Sequence, residues 1–190
     1  SSDLTGETEI TAADTINFSS EAQEGYGIRH DNGSLGIEAD KIIMNIKGNG
    51  SAGIRAVDGE VMIQGNTCIT VEGDKYLWKN ASAVGIWNGH GSYSLSKPGA
   101  DIKFSGNTII EVTGEGSIGI LSDRSESKTF LDAPDMNFIS ADAEAVKVTD
   151  VGSVKLAAQG KGNIILSGEI SSSATDGMTG HFGDQTEIGR

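Results

Sequence analysis

The chain has 190 residues with a formal net charge of −13; 36% of them are hydrophobic and 22% are charged. This length and composition predict one domain with a narrow core, and the negative charge without a basic tract excludes nucleic acid and anionic membrane surfaces as partners. One cysteine excludes an internal disulfide, and no stretch is typical of a signal peptide or a transmembrane segment, so we expect no direct membrane insertion of this segment.

A glycine-isoleucine step recurs along the chain and indicates an internal repeat. The copies are Gly27-Ile28, Gly53-Ile54, Gly85-Ile86, Gly119-Ile120 and a degenerate Ala145-Val146, at spacings of 26, 32, 34 and 26 residues. Each unit contains strand-like segments and no helical pattern, so no unit can bury its apolar face alone. The units are therefore predicted to stack into one continuous core.

Two longer segments support this register. Residues 63–73 match residues 104–114 position by position, which predicts the same strand in two units. In this alignment Cys68 takes the place of Ile109, so we interpret the cysteine as a small apolar filler.

An apolar-asparagine-apolar pattern predicts a second kind of strand. It occurs at Ile16-Asn17-Phe18, Met44-Asn45-Ile46 and Met136-Asn137-Phe138. Period-two alternation would turn the apolar residues inward and stack the asparagines in an outward ladder. The intervals from Ile46 to Ile54, from Val112 to Ile120 and from Phe138 to Val146 are all eight residues, which predicts a corner of constant length.

Turn residues follow each glycine-isoleucine strand, as Asn32-Gly33, Asp58-Gly59 and Asn88-Gly89. Asparagine, aspartate and glycine accept positive φ at low cost, so the chain is predicted to turn at these points. Three short strands per unit, joined by turns and without helices, favour an all-β parallel β-helix, a β-solenoid, over the alternative of an antiparallel β-sandwich.

The domain prediction is a single β-helix over residues 1–190, with insertions at 74–100 and 121–134. The start without methionine and the polar end predict a fragment of a longer protein. We interpret the second insertion, which is mixed in charge, as a mobile surface loop.

The repeats resemble those of bacterial type V autotransporter passengers. The resemblance covers about residues 10–170 and rests on repeat style, above all on Tyr26-Gly27-Ile28-Arg29, Ala52-Gly53-Ile54-Arg55, the Gly-Asn-Thr strands and Gly116-Ser117-Ile118-Gly119-Ile120. It implies a right-handed β-helical passenger at the outer surface of a Gram-negative cell, commonly an adhesin or an aggregation factor. The near absence of cysteine suits passage through the pore of its own barrel.

The first candidate binding site is the aromatic part of the first insertion. Tyr76, Trp78, Trp87 and Tyr93 fall between residues 74 and 97, and this tract holds both tryptophans of the chain. Aromatic faces on an extended loop can stack on sugar rings or anchor a protein interface. The alternative is that these residues fold back over the core as a lid.

The second candidate is the column that follows the inward isoleucines. It reads Arg29, Arg55, Trp87, Leu121 and Lys147 and is predicted to point outward along one face. Its cations could bind carboxylate or sulfate groups, unless Glu24, Asp31 and Asp58 neutralise them.

Catalysis and metal binding have weaker signals. Gly89-His90-Gly91 is similar to one element of the polygalacturonase signature, but no adjacent Asp-Asp pair occurs, and Asp58 with Glu60 is more typical of surface charge. The histidines His30, His90 and His181 lack the neighbours of a zinc site, and no calcium-binding nonapeptide is found. We therefore predict no enzyme, no cofactor and no assigned metal, and leave a weak lateral calcium ion open.

The sequence thus predicts a cell-surface adhesin that attaches to host or neighbouring bacterial cells, with a surface glycan or protein as partner. Trp78→Ala and Trp87→Ala are expected to abolish binding with the fold intact. Two alternatives stay open: a structural stalk or self-associating module, and a polysaccharide lyase or hydrolase of the pectinase type.

Overall fold

The computed structural model describes residues 6–76, 83–89, 99–122, 128–133, 136–148, 153–158, 163–167, 169–172 and 185–189, with side chains described as far as Leu121. All fifteen regular elements of these residues are strands. They are β1 (Glu7–Thr11), β2 (Thr15–Ser20), β3 (Tyr26–His30), β4 (Ser34–Lys47), β5 (Ala52–Ala56), β6 (Asp58–Glu72), β7 (Val84–Asn88), β8 (Gly99–Ser105), β9 (Thr108–Ser122), β10 (Lys128–Ala133), β11 (Met136–Val148), β12 (Ser153–Ala158), β13 (Asn163–Ser167), β14 (Glu169–Ser172) and β15 (Gln185–Gly189).

Every strand pair among the described residues is parallel, so the antiparallel sandwich is not their fold. The pairs form three ladders. The first ladder contains β1, β4, β6, β8, β10 and β12; the second contains β2, β4, β6, β9, β11, β13 and β15; the third contains β3, β5, β7, β9, β11 and β14. The longer strands β4, β6, β9 and β11 each take part in two ladders, and the chain visits the ladders in a regular order.

The glycine-isoleucine copies lie in register in the third ladder. Ile28 pairs with Ile54, Ile54 with Ile86, Ile86 with Ile120, and Ile120 with Val146. The backbones approach closely at the glycine: a Cβ added to Gly53 would contact the Ile69 methyl group and lie 2.6 Å from the Gly85 carbonyl oxygen. The repeated glycine is therefore required by this close approach.

The prediction from residues 63–73 and 104–114 is confirmed. Ile63 pairs with Phe104 in the first ladder, and Cys68 pairs with Ile109 in the second. Cys68 is half-buried and Ile109 is 40% exposed, while Ile69 beside Cys68 is fully buried. Alternation along the strand therefore places this pair on the outer face. Cys68 takes the position of Ile109 as predicted, but this position is not in the core.

The predicted asparagine ladder is also wrong. Asn17 pairs with Ile43, and Asn45 pairs with Thr70, because the pairing of the half-buried Phe18 with the buried Met44 sets an offset of two residues between the patterns. The same offset changes the last corner. Ser140, and not Phe138, pairs with Val112, so the eight-residue interval does not extend to Val146.

The core lies between the three ladders. It takes Ile37 and Ile63 from the first, Met44 and Ile69 from the second, and Ile54 and Ile86 among others from the third, and all are at most 1% exposed. Ile10, at the edge of the first ladder, is 38% exposed although its partner Ile37 is buried. The half-buried state of Ile16 and Phe18 has the same cause, since β2 pairs on one side only within the described residues.

The corners are held by side chains and by left-handed glycines, as the turn prediction expected. Gly33 and Gly59 have φ values of 90° and 82°, and their amides donate to the Asn32 and Asp58 side chains. At the next turn the buried Asn88 side chain accepts from the Ala100 amide at 2.8 Å and donates to the Ala100 carbonyl at 2.9 Å. Asn88 therefore ties the end of β7 to the start of β8.

The predicted insertions are divided by strands. Val84–Asn88 and Gly99–Ser105 are β7 and β8, and Lys128–Ala133 is β10, which pairs with β8 and β12. The interpretation of 121–134 as one mobile loop is therefore wrong for residues 128–133. Residues 77–82, 90–98 and 123–127 lie outside the described residues.

Candidate functional site

The predicted column of cations and aromatics is confirmed in its register. Arg29 pairs with Arg55, Arg55 with Trp87, and Trp87 with Leu121, which in turn pairs with Lys147. The residue two positions before each isoleucine, together with Trp87 and Leu121, which follow Ile86 and Ile120, belongs to or packs against a hydrophobic cluster separate from the core. The column therefore lies on the outer face of the third ladder.

Arg55 occupies the centre of this face between two aromatic rings. Its guanidinium carbon lies 4.5 Å from the Trp87 ring centroid and 5.4 Å from the Tyr26 ring centroid, and its Nη1 donates to the Tyr26 hydroxyl at 2.7 Å. Arg55 is only 9% exposed. Burial of a cation costs free energy, and the two ring faces and the hydroxyl offset that cost. We call Tyr26, Arg55 and Trp87 the aromatic-arginine stack.

An apolar group surrounds the stack. Trp87 is 8% exposed and packs with Ala52, Val84, Ile118 and Leu121, and Tyr26 packs against the same group. Such burial removes most of the Trp87 and Arg55 surface from contact with a ligand. The expected exposure of Arg55 and Trp87 is therefore not found, because alternation along a strand predicts which face a residue occupies and not what covers that face. Their role in ligand binding stays a prediction.

Arg29 is the exposed end of the column. Its guanidinium lies 6.0 Å from the Tyr26 ring, and its Nε forms an ion pair of 3.1 Å with Asp31, with both side chains about half exposed. The predicted neutralisation by Asp31 is confirmed. An exposed pair of this kind contributes little to stability and can exchange its partner for an anionic ligand at small cost.

Tyr26 is the site residue that the sequence reasoning did not single out. It stands two positions before Ile28, and the same position in the next units holds Ala52, Val84 and Ile118. A column that is apolar in every unit, directly before a glycine, is the signal that could have identified it.

The aromatic tract of the first insertion is only partly described. Tyr76 is half-buried just after Lys75, whose amide donates to the Glu115 carbonyl at the corner between the second and third ladders. Trp78 and Tyr93 lie outside the described residues. Of the six predicted binding residues, the structure brings Arg29, Arg55 and Trp87 together.

The carboxylates considered for catalysis have structural partners. Asp58 holds the turn at Gly59, and Glu60 accepts from the Lys103 ammonium at 2.9 Å, with Asp101 at 3.5 Å from the same nitrogen. The hydrogen bond that Lys103 donates to Glu60, and then the charge of Asp101, raise the pKa of Lys103 above its ordinary value of 10.5. His30 is buried with Nε2 3.0 Å from the Gly33 carbonyl oxygen, and His90 and His181 lie outside the described residues.

Neither a metal site nor a membrane span was found in the part of the chain that the structure describes. No group of three or more histidine, cysteine, aspartate or glutamate side chains is arranged there to hold a metal ion. The same residues include no helix with the length and apolar character needed to cross a membrane.

Comparison of the chain with protein families, with curated proteins and with solved structures found no match.

Proposed function

We propose that this chain is a segment of a right-handed parallel β-helix with three strands per turn, displayed at the surface of a Gram-negative cell as an adhesin of the autotransporter type. The regular order in which the chain visits three parallel ladders supports the β-helix. The repeat style that resembles autotransporter passengers supports the location and the class of activity.

One observation carries the adhesive function: the connections that precede and follow β7 are longer than the corresponding connection before β5, while the ladders themselves continue through β7. Eight residues separate Ile46 from Ile54, whereas Val71 and Ile86, which occupy equivalent ladder positions, are fifteen residues apart. Extra chain on a rigid scaffold is where binding residues concentrate. The extra segments precede and follow β7 in the sequence, and β7 carries Trp87 of the buried stack.

This arrangement gives the predicted site residues separate roles. Arg55 and Trp87 are positioning residues, because they are buried in the stack. We assign the contact with a host or bacterial glycan or protein to Trp78 and Tyr93 in the extra segments, together with Tyr76 and Arg29. No cofactor or metal is part of the proposal.

The test is retention of the purified chain on immobilised polysaccharides and matrix proteins, with Trp78→Ala and Tyr93→Ala as variants. We expect retention by the parent chain and its loss in both variants. Ile109→Ala is the matched control, because it removes an exposed apolar side chain from the second ladder. Undiminished retention of both aromatic variants would contradict the proposal that Trp78 and Tyr93 contact the ligand.

A structural stalk is the second candidate, and the burial of Trp87 and Arg55 favours it, since these residues serve packing. A stalk would bind no ligand of the panel, or would associate with copies of itself, which sedimentation would detect. Release of reducing or unsaturated sugar ends during the same incubation would instead indicate a lyase or hydrolase.

A further inference from the structure

We infer that a groove across the corner between the first and second ladders binds an oligosaccharide of amino sugars. The inference rests on the proposed adhesin function and assigns it a second ligand class and a different surface. The groove has a volume of about 400 Å³ and lies where β1 gives way to β2 and where β4 and β6 bend. It is separate from the aromatic-arginine stack, which lies on the third ladder.

The floor of the groove is made of backbone and small side chains. Ala39, Gly65 and Gly106 follow one another across adjacent strands, and a Cβ added to Gly106 would lie 2.5 Å from the Gly65 carbonyl oxygen. With Ala12 at one end, the floor crosses four successive layers of the chain: Ala39 and Gly65 lie in β4 and β6, and Ala12 and Gly106 lie in the connections after β1 and β8. At about 4.8 Å per strand the groove is roughly 14 Å long, which suits a short linear chain of sugars better than a single ring.

The lining of the groove is polar and acidic. Glu38 and Asp40 are exposed carboxylates that line it, and neither forms an ion pair with any other described residue. Gln64 and Asn66 add two amides; the Asn66 oxygen accepts from the Asn107 amide at 3.2 Å, which leaves the Asn66 amide nitrogen to donate to a ligand. The groove thus offers both acceptors and donors to a hydroxylated chain.

The polar and acidic lining of the groove indicates which class of glycan it can bind. No described lining residue is cationic or aromatic, so the groove has neither a partner for sulfate and uronic acid groups nor a platform for stacking. Carboxylates form their strongest hydrogen bonds with cationic donors. A sugar amine, protonated near neutral pH, supplies such a donor to Glu38 and Asp40, and its neighbouring hydroxyls can bond to the amides.

The experiment is a calorimetric titration of the 190-residue chain with a trimer of glucosamine at about pH 6, where amines are protonated and carboxylates are ionised. We expect binding of the trimer and at least about tenfold weaker binding of the fully N-acetylated trimer, which has lost its charge. The double variant Glu38→Gln and Asp40→Asn is expected to lose at least about tenfold in affinity.

Glu21→Gln is the matched control, because this exposed carboxylate follows the end of β2 that is far from the groove. The affinity of this variant for the glucosamine trimer should equal that of the parent chain. Equal affinity for both trimers, or an unchanged affinity of the double variant, would contradict the proposal that the groove binds amino sugars. If the trimer does not bind while the parent chain is still retained on the panel through Trp78 and Tyr93, the groove fails and the adhesin function stands.

Discussion

At the scale of single residues, the aromatic-arginine stack shows how the third ladder holds a buried charge. Arg55 lies between the Trp87 and Tyr26 rings and donates to the Tyr26 hydroxyl. Desolvated cation–π contacts are worth about 2 kcal/mol or more, which is of the order needed to keep a guanidinium in this setting. The three residues come from β3, β5 and β7, so the contact also couples three strands.

Replacement of Trp87 tests this coupling. We expect Trp87→Ala to lower the free energy of unfolding by about 3 kcal/mol, because it removes a buried ring and one face of the Arg55 contact. The change is measured by unfolding the protein with denaturant. Unfolding is followed by the circular dichroism of the backbone, because this signal does not depend on the replaced tryptophan. Trp87→Phe keeps a ring and should therefore lose clearly less free energy of unfolding. Equal losses in the two variants would show that the contact of the ring face with Arg55 does not stabilise the fold.

A second residue-scale prediction concerns the repeated glycine. Gly53→Ala should lower the unfolding midpoint strongly or prevent folding, because its Cβ would meet the Gly85 carbonyl oxygen and the Ile69 side chain. Gly36→Ala is the matched control: its Cβ would meet nothing closer than 3.7 Å, so we expect no loss and a gain of up to about 1 kcal/mol from reduced freedom of the unfolded chain. Thermal unfolding of both variants tests this prediction. An unchanged unfolding midpoint in Gly53→Ala would contradict the close approach of Gly53 to the Gly85 carbonyl oxygen.

At the scale of strands, the register of β6 on β8 places like charges side by side. Glu60 pairs with Asp101, and Lys103 bridges the two carboxylates from the position beside Met62. Like charges in direct opposition destabilise a strand pair, so the ammonium relieves a conflict that the register creates.

This bridge predicts a pH dependence. The pKa of Lys103 is raised in the folded chain, so its stabilisation is fully present below the ordinary value of 10.5 and is lost as the pH rises through the folded pKa. Lys103→Gln should cost less than about 1 kcal/mol at neutral pH, because the half-exposed ammonium is screened by solvent. The difference in unfolding midpoint between parent and variant should be constant below about pH 10.5 and should shrink as the pH rises above that value.

Lys103→Arg provides the control, since arginine keeps its charge through this range. A difference between the parent and Lys103→Gln that stays constant with pH would show that the ammonium charge is not the cause.

Strands also show how far the sequence could predict the fold. Residues 63–73 and 104–114 share glycine, asparagine and threonine at the same positions, so their pairing was predictable in full. Asn17 and Asn45 share only the alternation around them, which fixes a face and leaves an offset of two residues undetermined. The column of Arg29, Arg55, Trp87 and Leu121 shows the same limit of prediction from sequence. The pairing of these residues was predictable, but their burial depends on contacts that the repeat pattern does not encode.

At the scale of the whole molecule, three parallel ladders share one core, and each strand depends on its neighbours in the stack. Parallel strands stacked in this way gain stability from contacts with their nearest neighbours. Interior strands such as β6, which pairs with β4, β8 and β9, are therefore held more firmly than β1, which pairs only with β4 among the described strands.

Amide hydrogen exchange measures this gradient. We expect the amides of Ile63 and Ile69 to exchange much more slowly than those of Thr8 and Ile10, because opening β6 breaks contacts in two ladders. Peptides from β1 should exchange first in mass spectrometry. Similar rates in the two strands would indicate that the sheet opens as one unit.

The fixed pairing of Arg29 with Arg55 has a consequence for how such a chain can change in length. The partners are separated by 26 residues, and the intervening segment carries one complete set of glycine, core isoleucines and turn residues. Removing residues 30–55 would join Arg29 to Ala56 in the surroundings that Arg55 now occupies, with no ladder out of step. A deletion at this place that removed a few residues more or fewer from the strands would move the later glycines away from their paired neighbours, so the interval between paired residues sets the length that can be removed here.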